Sequence, residues 1–397
     1  MANYKKINVV SQFWPPSFVG GGEISTFIIC QELSKRGYDV TILTPNPPLG
    51  KGSKFKYVKL FNPSSLLKPF EKNYFSQISL RGDLPEGIYW ASDYYGAAYL
   101  YTKNVKKIVT VRDHWPICIT SLNLLEDYSA CDGCNIRNIT KHYGMEQANL
   151  YKKLSRCCSM IYNLTFRRSI LSSFDHVIYI SDYIANKICA SIHLRDYSII
   201  HNPLTRHYIE NNFIKTPLNK QILFTGFIKE FKGMNVLLEA MKILTQKDQA
   251  FHLTVVGYGD IEKYTRISKT LGIEKNVRFT GKLDMEHIIQ KYRSSTVIVV
   301  PSLCFETFCR TVIEGMSQEC IVIATDRGGP AEIIKHGQSG YLCAVNDHIQ
   351  LAATIRSLYD DTKKMREIQE NARKYAMRNF PPEKICNRYE SILEKFF

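Results

Sequence analysis

The segment "CFETFCRTVIEG", residues 304–315, follows the apolar run "VIVVP" and places two carboxylates, Glu306 and Glu314, eight positions apart. A run of branched apolar residues ending at Pro301 reads as a buried strand, "SLCFE" as a short loop, and the stretch from about Phe308 as a helix. A helix that starts just past a strand's C-terminal end points its unpaired N–H groups and positive dipole end above the sheet edge. Phosphate is the group such a place attracts. Carboxylates are poor phosphate ligands but good acceptors for sugar hydroxyls. Glu306 in the loop and Glu314 two turns into the helix can therefore reach past a phosphate in opposite directions. That arrangement suits a ligand with a diphosphate centre and a hydroxyl-rich ring at each end, the build of a nucleotide sugar. The plainer alternative makes Glu306 an acid held by the helix start and Glu314 part of a solvated face.

The scaffold for such a site is written in the alternation of strands and helices. In the first half "INVVSQF", "DVTILTP", "KIVTVRD" and "HVIYIS" read as strands, each followed by Gly, Pro or polar punctuation and a helical stretch. The series restarts with "QILFTG", "HLTVVG", "VRFTG", "VIVVP", "CIVIAT" and "GYLC". Near-continuous apolar strands separated by helices imply parallel sheets covered on both faces, an α/β doubly wound architecture, and the restart implies two such domains. A length of 397 residues with 45% hydrophobic content accommodates both cores. The expected divisions are an N-terminal domain at 1–205 with a cysteine-bearing insertion at about 113–160, a polar linker at 206–220, a C-terminal domain at 221–380, and a closing helix at 381–397. In that last segment Ile385, Tyr389, Ile392, Leu393 and Phe396 recur at helical spacing, so it needs an apolar surface to cover.

Lys and Arg exceed Asp and Glu by 52 to 37, a formal charge of +15, which favours anionic partners: phosphorylated small molecules, an acidic membrane surface or nucleic acid. The start runs straight into a strand pattern and no stretch approaches the roughly 18 apolar residues of a membrane span, so a cytoplasmic protein is expected. Twelve scattered cysteines suit a reducing compartment.

The spacing at 306–314 resembles the E-x7-E motif of retaining GT-B glycosyltransferases, in particular glycosyltransferase family 4. "FVGGGEISTFIICQELSKRGYDVTILTP", "FDHVIYISDYIANKI", "SIIHNPL", "FTGFIKEFKGMNVLLEAM", "VVGYGD", "VRFTGKL" and "TDRGGPAEIIKHGQSGYLC" follow in that family's order along nearly the whole chain. The resemblance implies the GT-B fold, with two Rossmann-like domains about a cleft, the C-terminal helix crossing back to the first domain, and a nucleotide-sugar donor. It implies that Gly21 and Gly22 admit the donor phosphate and acceptor, and that Gly226, Lys229 and Lys232 open the donor site. Lys232, with the amides from Phe308 through Cys309 and Arg310 to Thr311, would stabilise charge growing on the leaving diphosphate. Glu314 would bind ribose and Glu306 the donor sugar. No cofactor is expected for catalysis; the leaving phosphate would help deprotonate the acceptor on the same face, with retention. The acceptor is expected to be a glycan or lipid-linked precursor.

Several positions depart from the family pattern. Cys309 replaces the usual glycine of the donor loop. Phe227 replaces the arginine expected after Gly226, leaving Lys229 or Arg310 to supply the missing cation. Arg112 stands where a histidine is frequent, at the end of "VTVR", so Arg112 or His114 could face the donor sugar; His114 could equally be a loop anchor beside Trp115.

Two further signals concern the N-terminal half. Cys118, Cys131, Cys134 and Cys157 offer one C-x2-C pair and enough further thiols for a tetrahedral zinc site; free thiols, a disulfide or iron–sulfur ligation remain alternatives. In "LYKKLSRCCSMIYNLTFRRSILSSF", Leu150, Leu154, Cys157, Ile161 and Leu164 fall on one helical face, while Lys152, Lys153, Arg156 and Arg167 lie largely elsewhere. That pattern fits a helix resting on anionic lipid, or a solvated helix with a core face.

A catalytically silent nucleotide-sugar or glycan binder is the alternative within the family. An oxidoreductase is disfavoured because "VVGYGD" lacks the third glycine of the dinucleotide fingerprint. Nucleic acid is not an expected partner, since no recognisable RNA- or DNA-binding module accompanies the basic residues.

Overall fold

The computed structural model describes residues 5–16, 20–48, 55–62, 71–80, 83–125, 127–131, 133–142, 149–194, 196–209 and 218–397. Most of the expected linker, at 210–217, lies outside the described residues. The chain forms two compact units, Met1–Pro203 with Pro382–Phe397, and Leu204–Pro381.

The first unit runs β1 (Lys6–Val10), α1 (Gly21–Lys35), β2 (Asp39–Thr44), β3 (Lys56–Phe61), α2 (Glu71–Phe75), β4 (Ser79–Leu80), β5 (Ile88–Ala91), α3 (Tyr94–Leu100), β6 (Lys107–Val111), α4 (Ile136–His142), α5 (Leu150–Ser172), β7 (His176–Tyr179), α6 (Asp182–Cys189) and β8 (Tyr197–Ile199). Its sheet is ordered β4-β3-β2-β1-β5-β6-β7-β8 and is parallel except at the β3–β4 edge. The central strands β5, β6 and β7 are buried at every position, as a sheet covered on both faces requires.

The second unit contains β9 (Gln221–Ile228), α7 (Met234–Lys247), β10 (His252–Gly259), α8 (Ile261–Thr270), β11 (Val277–Gly281), α9 (Met285–Ser294), β12 (Val297–Val300), α10 (Arg310–Ser317), β13 (Ile321–Thr325), α11 (Gly329–Ile333), β14 (Tyr341–Cys343), α12 (His348–Leu358) and α13 (Thr362–Asn379). Its six strands, all parallel, are ordered β11-β10-β9-β12-β13-β14. The stripe Leu237, Ala240, Met241 and Leu244 of α7 faces inward and is almost wholly buried.

The chain then returns to the first unit as α14 (Pro382–Leu393). Ile385, Tyr389, Ile392 and Leu393 enter the same core cluster as Ile7, Ile29 and Trp90. Tyr389 stacks at 5.1 Å on Trp90 and its hydroxyl lies 3.2 Å from Thr110 Oγ1. At the helix surface Arg36 pairs with Glu390, and the Tyr38 hydroxyl donates to Glu394.

Both sheets reverse their strand order once, between β1 and β5 in the first unit and between β9 and β12 in the second. In open α/β sheets, ligands bind in the crevice above the strand ends at that reversal. The loops placed there are the ones that follow β1 and β5, and β9 and β12.

Candidate functional site

In the second unit the loops after β9 and β12 are sewn together by main-chain hydrogen bonds: the amides of Leu303 and Cys304 donate to the Phe231 carbonyl at 2.9 and 3.1 Å. Gly233 makes the close approach possible. It has φ of 76°, and a Cβ there would lie 1.8 Å from the Pro301 carbonyl oxygen. Lys232 ends the 3-10 turn just before it and donates to Glu306 Oε1 at 2.6 Å; the Ser302 hydroxyl donates to the same oxygen, also at 2.6 Å. The Glu306 main chain rests on the glycine pair that opens α11, its carbonyl accepting from the Gly329 amide at 2.7 Å.

The electrostatics follow from the pairing. Burial works against the charged form of both groups. For Lys232 the Glu306 charge and hydrogen bond more than offset it and raise the ammonium pKa. For Glu306 the Lys232 charge, with hydrogen bonds from Lys232 and Ser302, holds the carboxylate below its ordinary range. The pair is therefore ionised at neutral pH. The neighbouring Cys304 thiol is pushed up to about 12, first by burial and then by the Glu306 charge, and stays neutral.

The helix α10 begins at Arg310 with Cys309 as N-cap, two residues later than the sequence suggests. Cys309 adopts φ of 69°, in the left-handed region that favours glycine, which is the physical reason for a glycine at this place in the family pattern. Phe308 is buried and packs edge-on against Phe380, so only its main chain is placed for a ligand. Glu314 accepts from Tyr292 at 3.1 Å and pairs with Arg310 at 3.1 Å; the Tyr292 hydroxyl also meets Thr225, which donates to Thr311 at 3.4 Å. Arg310 further donates to Thr205 at 3.0 Å and is only 8% exposed, because the i,i+4 carboxylate and a hydroxyl let its charge be buried. Its charge is thus engaged within the unit, while Lys229 is partly exposed, paired to Asp260 at 2.7 Å and lying over Phe227. Phe227 itself joins Tyr258 and Phe231 in an aromatic group at the strand ends, beside the exposed Gly226. Ser302, Thr225 and Tyr292 are absent from the residues expected above: Ser302 and Thr225 lie within quoted segments but carry no chemistry that singles them out, and Tyr292 lies outside them.

In the first unit a cavity of about 250 Å³ opens at the reversal, lined among others by Gly22, Glu23, Asp93, Arg112, Asp113 and Trp115. Gly21 is exposed at the start of α1, and a Cβ on Gly22 would meet Arg112 Cδ at 2.9 Å, so the glycine leaves room for the arginine. Arg112 is aimed by Asn202 and by Thr26 at 3.0 Å. Asp93, which caps α3, is pushed up to about 6 by burial, against hydrogen bonds from the Gly96 and Gln12 amides and the Ser11 hydroxyl.

His114 departs from the expectation of a donor-facing group. It is 1% exposed, with Nδ1 against the Ser121 carbonyl and Nε2 against the Tyr183 hydroxyl, and burial lowers its pKa to about 4. It is a neutral loop anchor. The helix α5 is corrected too. Cys157 and Leu164 turn into the core, and Arg167 is buried, paired to Glu71 at 2.6 Å beneath the Tyr94 ring. The cysteines Cys118, Cys131 and Cys157 are buried and Cys134 is partly so; none forms a disulfide among the described residues.

The fold, two Rossmann-like parallel-sheet units in sequence, is that of the GT-B glycosyltransferases. The Anabaena protein HepE, crystallised with UDP-glucose, matches 99% of this chain and 100% of its own with a TM-score of 0.70 at 17% identity. The family described as "Glycosyltransferase Family 4" matches residues 19–206, and "Glycosyl transferases group 1" matches 209–375. This chain belongs to glycosyltransferase family 4 and is a glycosyltransferase. Among relatives, an uncharacterized glycosyltransferase of Methanocaldococcus jannaschii is 25% identical over 64% of this chain and 67% of its own. The N-acetyl-alpha-D-glucosaminyl L-malate synthase of Bacillus anthracis is 32% identical over 43% of this chain, a match spanning less than half of that relative, 44%.

Proposed function

We propose that the protein moves a sugar from a nucleoside-diphosphate donor to a hydroxyl acceptor with retention of configuration. The observation that carries this is the ionised Lys232–Glu306 pair at the strand-order reversal, next to the first turn of α10. In the reaction the anomeric carbon–oxygen bond breaks with its electron pair leaving on the diphosphate, and the acceptor oxygen forms the new bond on the same face. The acceptor proton passes to a phosphate oxygen. Lys232 and the α10 amides stabilise the growing negative charge, most strongly where water is excluded. Glu306 orients sugar hydroxyls, and Glu314 accepts from ribose through the lone pairs that Arg310 and Tyr292 leave available. The Arg112 cavity takes the acceptor or the sugar. Lys and amides together supply the charge stabilisation that the donor's diphosphate demands, so catalysis by these residues needs no cofactor.

HepE's complex makes UDP-glucose the first donor to try. A thermal-shift panel of UDP-, GDP- and ADP-sugars on the wild type and Glu314→Gln tests the reading. One nucleotide series stabilising the wild type, and stabilising the variant less, supports it; no stabilisation by any of them at millimolar ligand refutes it.

A second reading concerns where the acceptor resides. No helix among the described residues is long and apolar enough to cross a membrane. Yet Leu150 is 70% and Tyr151 80% exposed on α5, and Leu154, Ile161 and Tyr162 are exposed with them. The helix contains no acidic residue and carries the cations Lys152, Lys153, Arg156 and Arg168. An exposed apolar strip on a helix whose charged residues are all basic fits an anionic bilayer, and with it a lipid-linked acceptor. Vesicle flotation is expected to recover the wild type with phosphatidylglycerol but not phosphatidylcholine vesicles, and to lose Leu154→Asp/Ile161→Asp; equal behaviour with both lipids would refute it.

A further inference from the structure

The segment from Asp113 to Asn135, between β6 and α4, is held by little regular structure. A single antiparallel bridge, Leu124 to Ala130, is its pairing among the described residues. Three of its non-glycine residues, Ser121, Asn123 and Tyr128, have φ of 60°, 55° and 61°. Such conformations cost about 1 kcal/mol or more apiece and persist only where the surroundings enforce them. The segment is nonetheless packed down: Cys118, Leu124 and Cys131 are each 4% exposed. The apolar group beneath it is small, consisting of Ile139, Cys157 and Met160 with Ile119 and Cys134 against them. Arg167 of α5 adds a hydrogen bond to the Cys118 carbonyl at 2.8 Å.

What this segment does have is thiols drawn from three places in the chain. Cys118 lies beside Ile119 in the first turn of the segment, Cys131 and Cys134 form the C-x2-C pair at its end, and Cys157 projects from α5 into the cluster that Cys134 joins. Cys134 and Cys157 share one apolar group with Ile119, the neighbour of Cys118, and with Ile139, the neighbour of the Asn138 whose amide meets Cys131. Asn138 of α4 donates to Cys131 Sγ at 3.8 Å and to the Gly133 carbonyl at 2.7 Å, the outer support that a thiolate ligand uses. Among the described residues no three of these sulfurs lie within 4.8 Å of one another, so binding one ion would require the thiols to converge.

We propose that Cys118, Cys131, Cys134 and Cys157 bind one zinc ion as a closed four-thiolate site that pins this segment to α4 and α5. Four thiolates without an open position define a structural site rather than a catalytic one. Its consequence is positional: the pinned segment begins at Asp113 and Trp115, which line the cavity of the first unit. Binding would release thiol protons and be coupled to local closure. The inference does not depend on the donor reading, because its readout is metal.

The test is elemental analysis of the untagged full-length protein, expressed with zinc and purified under reducing conditions without chelator. Roughly one zinc per chain is expected, released on titration with a mercurial, with reconstitution by cobalt giving intense thiolate-to-cobalt charge transfer. Cys131→Ser, Cys134→Ser and Cys157→Ser should each lose the metal, whereas Cys158→Ser, at the exposed neighbouring position, should keep it. Circular dichroism and mercurial titration of the wild type separate metal loss from misfolding. Wild-type protein with well under one equivalent and no cobalt charge transfer overturns the proposal. Iron with acid-labile sulfide, or metal retained by Cys157→Ser, overturns the assignment as well.

Discussion

At the residue scale the donor site proposed in the second unit depends on charges that neutralise one another before any ligand arrives. Lys232 and Glu306 come from segments 74 positions apart and share one hydrogen bond. Cys309 is a different case: it accepts a left-handed backbone that a glycine would adopt without cost. Replacing it, Cys309→Gly, should stabilise the second unit by about 1 kcal/mol, or about 2–4 °C in Tm, measured by scanning calorimetry. An unchanged or lowered Tm would mean that the thiol's packing outweighs the strain. His114 gives a pH prediction. Burial lowers its folded pKa to about 4, below the unfolded value, so the native state binds fewer protons between the two. The stability it contributes is complete above the unfolded pKa near 6.5 and is lost as pH falls toward 4, by an amount on the order of 2 kcal/mol or more. The wild type should therefore lose stability relative to His114→Gln across that window in parallel urea titrations. Curves that stay parallel would contradict the buried neutral ring.

Elements set these residues in place, and their legibility in the sequence was uneven for physical reasons. The strands β9, β10, β12 and β13 are near-continuous apolar runs because both their faces are covered, and such runs stand out. The strand β3 alternates Lys with apolar residues near the sheet edge and β4 has two residues, so neither presents a run long enough to read. Glu306, Lys232 and Glu314 were legible as residues, since a strand, a loop and a helix start announce them. Their partners were not. Tyr292 reaches Glu314 from α9, and Thr225 reaches Tyr292 from β9, by tertiary packing alone. The burial of Arg310 also depends on contacts across the unit, and only its i,i+4 spacing from Glu314 hinted at it. The joint between β9 and β12 should be brittle. Gly233→Ala would drive a methyl into the Pro301 carbonyl, and is expected to destabilise by on the order of 2 kcal/mol or more. It should also weaken nucleotide binding by displacing Lys232. Native-like melting with native affinity would show that the turn can relax.

For the whole molecule, the strand series repeats and each repeat closes its own core, so two units follow from one chain. The first unit is incomplete without the last sixteen residues, whose helix covers Ile7, Ile29 and Trp90. Ending the chain at Pro381 uncovers the surface that Ile385, Tyr389, Ile392 and Leu393 bury. At about 1.5–3 kcal/mol per large side chain, the loss is on the order of 5 kcal/mol or more. Calorimetry should then show the first unit melting early while the second keeps its transition; loss of both transitions together would mean that the units do not fold independently. Belonging to family 4 fixes the class of chemistry, whereas the donor and acceptor are settled by turnover. The most direct measurement is the rate of sugar release from UDP-glucose, or from whichever donor the thermal-shift panel selects, by wild type and Lys232→Ala under saturating donor. The account predicts that kcat falls by about 10²–10³ while the protein stays folded, as removal of one charge-stabilising group does. A variant that turns over like the wild type would contradict the role assigned to the Lys232–Glu306 pair.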